Sequence, residues 1–419
     1  MNLRFRHRVK RLAIQTGGLR LLRKLRDALL PRPALDLERI LATGEAPLPT
    51  SATIEPTLAC NLHFTMCFQN DYRDRGIAKE LGTDGLMRLV ERLPPTIRFA
   101  YFVGGEVFMR KGFHELLHAV DDAGIDTFIT TNGTRIGPKD WDVLDEARHL
   151  TGVGFSLDGL GPVHDAVRGE GTYDTIVGNI QKATQRYRTY VSFVMMEENY
   201  RQIPEFARTV ASWGVHEIGF VHEMYCLAQD MAATRRRLGW TGINDVMMTV
   251  KERDWTKDAF QELLGILERM PSQEKKYHFV SALEPPLPPE TFPALYEGTI
   301  RTRHRLYCRE LTNLYLDPAG NVVQCSFLRH AFGNVIDQPV QQIWNSDGMR
   351  EFRKTLLAGN LLPVCRRCCK LAVWPEESGG LGPVDQLETV AEPLIMPSPL
   401  RPVASPGPAL TAPEVRGPA

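Results

Sequence analysis

Several things are scarce in this chain, and each absence narrows what it can be. No apolar run approaches the roughly 20 residues that a membrane-spanning helix requires, so no transmembrane segment is expected. Net charge is zero, with 50 basic and 50 acidic residues, so bulk electrostatics points to no nucleic acid or other polyanionic partner. The N-terminus is basic but has no continuous apolar core, and no cleaved secretion signal is expected from it. Cysteine is sparse, eight in 419 residues, and clustered rather than scattered: 60 and 67, then 226, then 308, 325, 365, 368 and 369. Clusters of this kind in a large, non-secreted chain read as metal ligands rather than disulfides, in a cytoplasmic, oxygen-sensitive protein. The remaining composition is ordinary, 43% hydrophobic and 24% charged, and suits one large core with a small second domain.

Along the chain the first 48 residues form a basic leader, in which nine Lys or Arg precede the first acid, Asp27. Leu19, Leu22, Leu25, Leu29 and Leu30 recur at helical spacing beside Arg20, Arg23, Lys24 and Arg26. This reads either as an amphipathic helix packed on the main domain or as a peripheral contact with anionic lipid or an acidic substrate. From 49 to 240 strand-like and helical patterns alternate. Strands are expected over 53–58, 97–103, 126–131, 152–157, 190–196 and 217–222, with helices near 83–92, 112–123, 138–147, 173–187 and 202–213. Six βα repeats with short turns predict a parallel sheet, doubly wound or curled into a barrel, with chemistry at the C-terminal strand ends if it is a barrel. Residues 241–300 read as a linker region with a helix around 257–270 and a Pro-rich stretch at 284–293. A compact cysteine-bearing module follows over 301–375. The tail from 376 to 419 is rich in Pro, Ala and Gly and is expected to be disordered.

The loop after the first strand reads Cys60-Asn61-Leu62-His63-Phe64-Thr65-Met66-Cys67. Three thiolates at x3 and x2 intervals can wrap one iron–sulfur cube and leave its fourth iron open; here the middle position is Phe64. The loop is followed, each time at a strand end, by Gly104-Gly105-Glu106, by Thr130-Thr131-Asn132-Gly133, and by Phe155-Ser156-Leu157-Asp158-Gly159. The two glycines allow close backbone approach to a ligand, and the Glu106 carboxylate can accept bonds from an ammonium group. Taken alone, Asn132-Gly133 is a turn signal. Ser156 and Asp158 share one side of the chain by the period-two rule. His164, Arg168 and Asn199 come next; His164 and Arg168 read equally as site-shaping residues or as helix caps.

In order and spacing these segments resemble the radical S-adenosylmethionine (radical SAM) superfamily, whose loop signature is Cys-x3-Cys-x2-Cys. The resemblance implies an α/β fold, a partial (β/α)6 TIM-like barrel. It implies [4Fe–4S] ligation by Cys60 and Cys67, and SAM contacts from Gly104, Gly105, Glu106, Asn132, Ser156, Asp158 and Asn199. Family proteins reduce SAM to a 5′-deoxyadenosyl radical that removes a hydrogen atom from substrate, so a reducing electron donor is implied as a partner.

The C-terminal module carries Cys308, then eleven residues, Gly320, four residues and Cys325, and later Cys365-Arg366-Arg367-Cys368-Cys369. Between the first two cysteines, the segment from Asn313 to Gln324 reads as a hairpin around Pro318-Ala319-Gly320-Asn321. Thiolates suit zinc and iron–sulfur clusters alike. The pattern resembles the auxiliary-cluster extension of SPASM and Twitch radical SAM proteins, a small cysteine-rich α+β domain. It implies one auxiliary [4Fe–4S] cluster on Cys308, Cys325, Cys365 and Cys368, with Cys369 spare or an alternative fourth ligand. Cys226, alone past the sixth strand, is either a small buried hydrophobe or a group acting on substrate or cluster.

Phe64 leaves two cysteines where three are needed, and His63 leaves the backbone in a different direction. Three origins fit: a natural pseudoenzyme, a deliberate inactivation, or a single-base change. Two functions from different classes follow. One is a radical SAM oxidoreductase or maturase acting on a peptide or a small polar metabolite. The other is a catalytically silent SAM-binding or scaffold protein that keeps only the auxiliary cluster.

Overall fold

A computed structural model describes residues 36–373 except 75–78, 243–244, 253–254, 288–290, 298–305 and 359–360. Most of the basic leader and the Pro-rich tail lie outside the described residues. The sheet that organises the molecule grows from short β-branched and aromatic runs. In chain order its first six strands are β1 (Ser51–Ile54), β2 (Phe99–Phe102), β3 (Asp126–Thr131), β4 (Leu150–Ser156), β5 (Thr189–Met195) and β6 (Glu217–His222). Each pairs in parallel with the next. All six expected strands are present. β1 ends short of the expected Leu58: after Glu55, Pro56 removes a ladder donor and the chain turns into the cysteine loop.

The crossover helices bury one face each. In Phe113–Asp122 the buried apolar residues are Phe113, Leu116, Leu117 and Val120, the i, i+3, i+4, i+7 pattern. Ile203–Ser212 repeats it with Ile203, Phe206, Ala207 and Val210, and has a proline in its first turn, where no amide donor is lost. Each of the larger side chains, Ala207 excepted, contributes about 1.5–3 kcal/mol on burial, so these stripes hold the helices to the sheet. The helix expected over 257–270 runs on to Tyr277 through Pro271 and ends at His278 in the left-handed conformation.

Further small strand pairings complete the described chain. β7 (Cys226–Leu227) pairs with β8 (Val250–Lys251). β9 (Ser281–Glu284) adds in parallel to β6, inside the region read as a linker. β10 (Leu306–Cys308) runs antiparallel to β14 (Leu371–Val373) and brings Cys308 beside Leu371. The expected hairpin is β11 (Leu314–Leu316) with β12 (Asn321–Val323), turning at Gly320 with φ +83°, and β13 (Gly333–Asn334) follows it. The hairpin is not set apart from the barrel. β11 lies parallel to β1, Thr53 opposite Tyr315 and Ile54 opposite Leu316. One ten-stranded sheet results, in the order β13-β12-β11-β1-β2-β3-β4-β5-β6-β9. No described helix is long and apolar enough to cross a membrane.

Candidate functional site

The cysteine loop folds as consecutive turns. The Cys67 amide donates to the Phe64 carbonyl at 3.0 Å, and Asn70 Nδ2 donates to the same oxygen at 2.8 Å. These bonds place residue 64 beside residue 67. Gly104 and Gly105 sit against the loop backbone: Gly105 N donates to Thr57 O at 2.9 Å and Glu106 N to Ala59 O at 2.8 Å. A Cβ on Gly105 would overlap the Ala59 carbonyl, and Gly104 needs φ +125°. The close approach expected of the glycines is therefore made to the loop itself.

Glu106 is fully buried. Its Oε1 accepts from Thr131 Oγ1 at 2.7 Å and its Oε2 from Asn132 N at 2.8 Å, while burial pushes its carboxyl above the usual range. Asn132 Nδ2 lies 3.6 Å from Cys60 Sγ and 3.2 Å from Asn61 Oδ1, so the third strand's end holds the first cysteine. Asp158 is buried, paired with Arg168, and accepts Val194 N at 2.7 Å. Asn199 Nδ2 donates to the carbonyls of Asp158 and Val194. His164 Nδ1 accepts the Asp158 amide at 3.1 Å, and burial lowers the ring's pKa to about 4.

A cavity of about 320 Å³ opens at the C-terminal ends of β1, β2, β5 and β6. Phe64 and Cys67 line it, and so do Cys308, Cys325, Cys365 and Cys368. Of the seven SAM-contact candidates only Gly104 reaches this wall; Gly105, Glu106, Asn132, Ser156, Asp158 and Asn199 do not. Cys226 is also off the cavity, 1% exposed, its thiol pushed up to about 12 mainly by burial.

The four C-terminal thiols have the donor chemistry of an iron–sulfur ligand set, although among the described residues no three His, Cys, Asp or Glu side chains are gathered closely enough to hold a single metal ion. They face one space, and two backbone amides aim at their sulfurs: Leu328 N at 3.4 Å from Cys325 Sγ and Lys370 N at 3.4 Å from Cys368 Sγ. Burial raises Cys308, Cys325 to about 11 and Cys365 to about 12, and Cys368 is raised by its hydrogen bond with Cys369 and then by burial. Such thiols stay protonated until a cation offsets the lost hydration. Of the adjacent pair, Cys368 lines the cavity and Cys369 does not; the two thiols interact, and Cys369 Sγ lies 3.1 Å from Sδ of Met224, itself a lining residue.

The Cys60–Cys67 loop does not fit a three-thiolate site. Phe64 faces the cavity with an apolar ring, and the Arg168 guanidinium carbon sits 4.5 Å from the ring centroid, a cation–π contact. His63 is 63% exposed and 3.4 Å from Asp74, turned out of the site. Cys67 is held by Arg73 Nη2 at 3.8 Å, and burial raises its thiol.

The radical SAM superfamily model matches residues 54–210, and the SPASM iron–sulfur cluster-binding domain matches 308–369. This chain belongs to the radical SAM superfamily, with a SPASM domain. Both families bind [4Fe–4S] clusters, and radical SAM proteins bind SAM. Among relatives, the mycofactocin maturase MftC of Mycolicibacterium smegmatis is 27% identical over 333 residues, covering 76% of this chain and 75% of its own. The sporulation killing factor maturation protein SkfB of Bacillus subtilis is 24% identical over 170 residues, 40% of this chain and 41% of its own. Among solved structures, SuiB of Streptococcus suis bound to SAM superposes with TM-score 0.56 at 15% identity, covering 79% of this chain and 74% of its own. SuiB and this chain share the fold.

Sequence reading missed the residues that join the two halves of the cavity wall. Glu55 is one, 1% exposed and ion-paired with Arg329 at 2.7 Å. The available signal was an acid inside the apolar run Ile54-Glu55-Pro56-Thr57-Leu58. A carboxylate in a buried strand needs a partner, and only the fold could name it.

Proposed function

We propose that this chain is a peptide-binding radical SAM maturase homologue that holds one [4Fe–4S] cluster on Cys308, Cys325, Cys365 and Cys368. As written, it does not build the second cluster, the one that cleaves SAM. The observation that carries this reading is the Phe64 ring at the cavity wall under Arg168, where a third thiolate is required. Two thiolates cannot hold three irons of a cube, and the ring adds no donor. Support for a peptide substrate comes from the names of its relatives: MftC and SkfB are maturation proteins, and SuiB has been crystallised with its precursor peptide SuiA. The cavity's apolar wall, which includes Met66, Phe68, Val221, Met224 and Met248, suits an aliphatic or aromatic peptide side chain.

This chain's own residues divide the remaining work. Asn132 and Arg73 hold the two loop cysteines, the Asp158–Arg168 pair braces the wall, and the four C-terminal thiols line the auxiliary site. A reducing partner would be required only once a SAM-cleaving cluster is present.

The test is 5′-deoxyadenosine release from SAM under strong reductant, for the chain as written and for Phe64→Cys after anaerobic reconstitution. Release is expected from the variant alone, and to rise when synthetic peptides bearing aliphatic or aromatic residues are added. Release at equal rates from both proteins contradicts the reading. A Phe64→Cys protein that cleaves SAM but responds to none of the peptides contradicts the substrate assignment.

A further inference from the structure

The two cysteine segments, about 250 residues apart in the chain, touch by two independent routes. The first is aromatic. Phe68 follows Cys67, Phe327 lies two residues after Cys325, and their rings meet edge to face with centroids 4.6 Å apart. The second is polar and centres on Glu55. Its Oε1 accepts from Tyr315 Oη at 2.8 Å and from Gln69 Nε2 at 3.5 Å, and its Oε2 pairs with Arg329 Nη1 at 2.7 Å. Tyr315 Oη also meets Ser326 Oγ at 2.5 Å. Gln69 is two residues past Cys67, and Ser326 is the residue after Cys325. The register of β1 on β11 makes this hub: Thr53 pairs with Tyr315, and Glu55 N donates to Leu316 O at 2.9 Å, which continues the ladder one residue beyond the strand.

We propose that Glu55, Tyr315 and the Phe68–Phe327 pair are positioning residues that tie the Cys60–Cys67 loop to the auxiliary thiol site, so that metal held at Cys325 is felt as closure of the loop at Cys67. Metal fixes Cys325 and with it Ser326 and Phe327. Those residues fix Phe68 directly and Gln69 through Tyr315 and Glu55. With the metal gone, the 325–329 segment is free to shift, and both routes slacken together. A half-buried thiol then reports the change as easier attack by a reagent, because reactivity follows the population of the opened loop. Cys226, buried and not among the cavity's lining residues, serves as an internal control for general unfolding.

The inference rests on the auxiliary ligand set proposed above and is independent of SAM cleavage. The experiment measures alkylation of Cys67 and Cys226 by peptide mass spectrometry in the full chain, anaerobically reconstituted and then stripped of iron by chelator. Stripping is expected to raise the Cys67 rate about threefold or more while Cys226 stays protected. In the iron-loaded protein, Phe327→Ala and Tyr315→Phe are expected to raise it likewise, whereas Phe327→Tyr, which keeps the ring, restores the original rate. An unchanged Cys67 rate on stripping overturns the coupling, and so does Cys226 labelling in step with Cys67. Because stripping needs no substitution, a variant that fails to fold does not remove the test. A chain that takes up no iron at all overturns the ligand assignment instead.

Discussion

At Phe64 a single side chain decides what the surrounding residues can be used for. The Arg168 guanidinium that lies over its ring is itself tied to Asp158, and Asp158 is completely buried. Asp158→Asn removes the charge that compensates Arg168 and is expected to cost about 3–5 kcal/mol, measured by urea unfolding. His164 gives a pH dependence with a definite sign. Its folded pKa is lowered from 6.5 to about 4 by burial, so the unfolded chain takes up the proton first. Its stability contribution is therefore present above pH 6.5, falls as pH drops from there toward about 4, and levels off below that value. Between pH 7 and 4.5 the unsubstituted chain should lose about 2 kcal/mol more than His164→Asn, compared by urea melts at the two pH values. The residues at strand ends could be picked out from the sequence, but their partners could not. Glu106 and Asn199 stood out as ligand contacts, yet the fold engages both with neighbouring backbone, because a buried polar group takes the nearest complement.

Among elements, the glycine pair after β2 and the hairpin β11–β12 carry the site. Gly105→Ala forces a methyl group into the Ala59 carbonyl, so the cysteine loop must move. The expected cost is about 1–3 kcal/mol by thermal or urea unfolding, with faster alkylation of Cys60 as the local readout. Strands β1 to β6 and their helices were legible because short β-branched and aromatic runs, alternating in β5 and continuously buried in the middle of β4, are separated by helical stripes such as the i, i+3, i+4 pattern in Ile203–Ser212. The hairpin was legible from Pro318-Ala319-Gly320-Asn321, but not its docking on β1. Edge pairing depends on which strand is left open in three dimensions, and no local pattern encodes that. β9 was missed for a related reason. Ser281–Glu284 is four residues long, half-buried throughout, and bordered by proline.

For the whole molecule, the continuous sheet brings the auxiliary thiols and the damaged loop to one cavity. That arrangement separates two capacities that would otherwise stand or fall together. The auxiliary site has its four sulfurs and amides aimed at two of them; the loop has two sulfurs and an aromatic ring. The measurement that tests this most directly is iron and sulfide content per chain after anaerobic reconstitution, for the protein as written and for Phe64→Cys. About four irons are predicted for the first and about eight for the second. About eight irons in the protein carrying Phe64 would contradict the account.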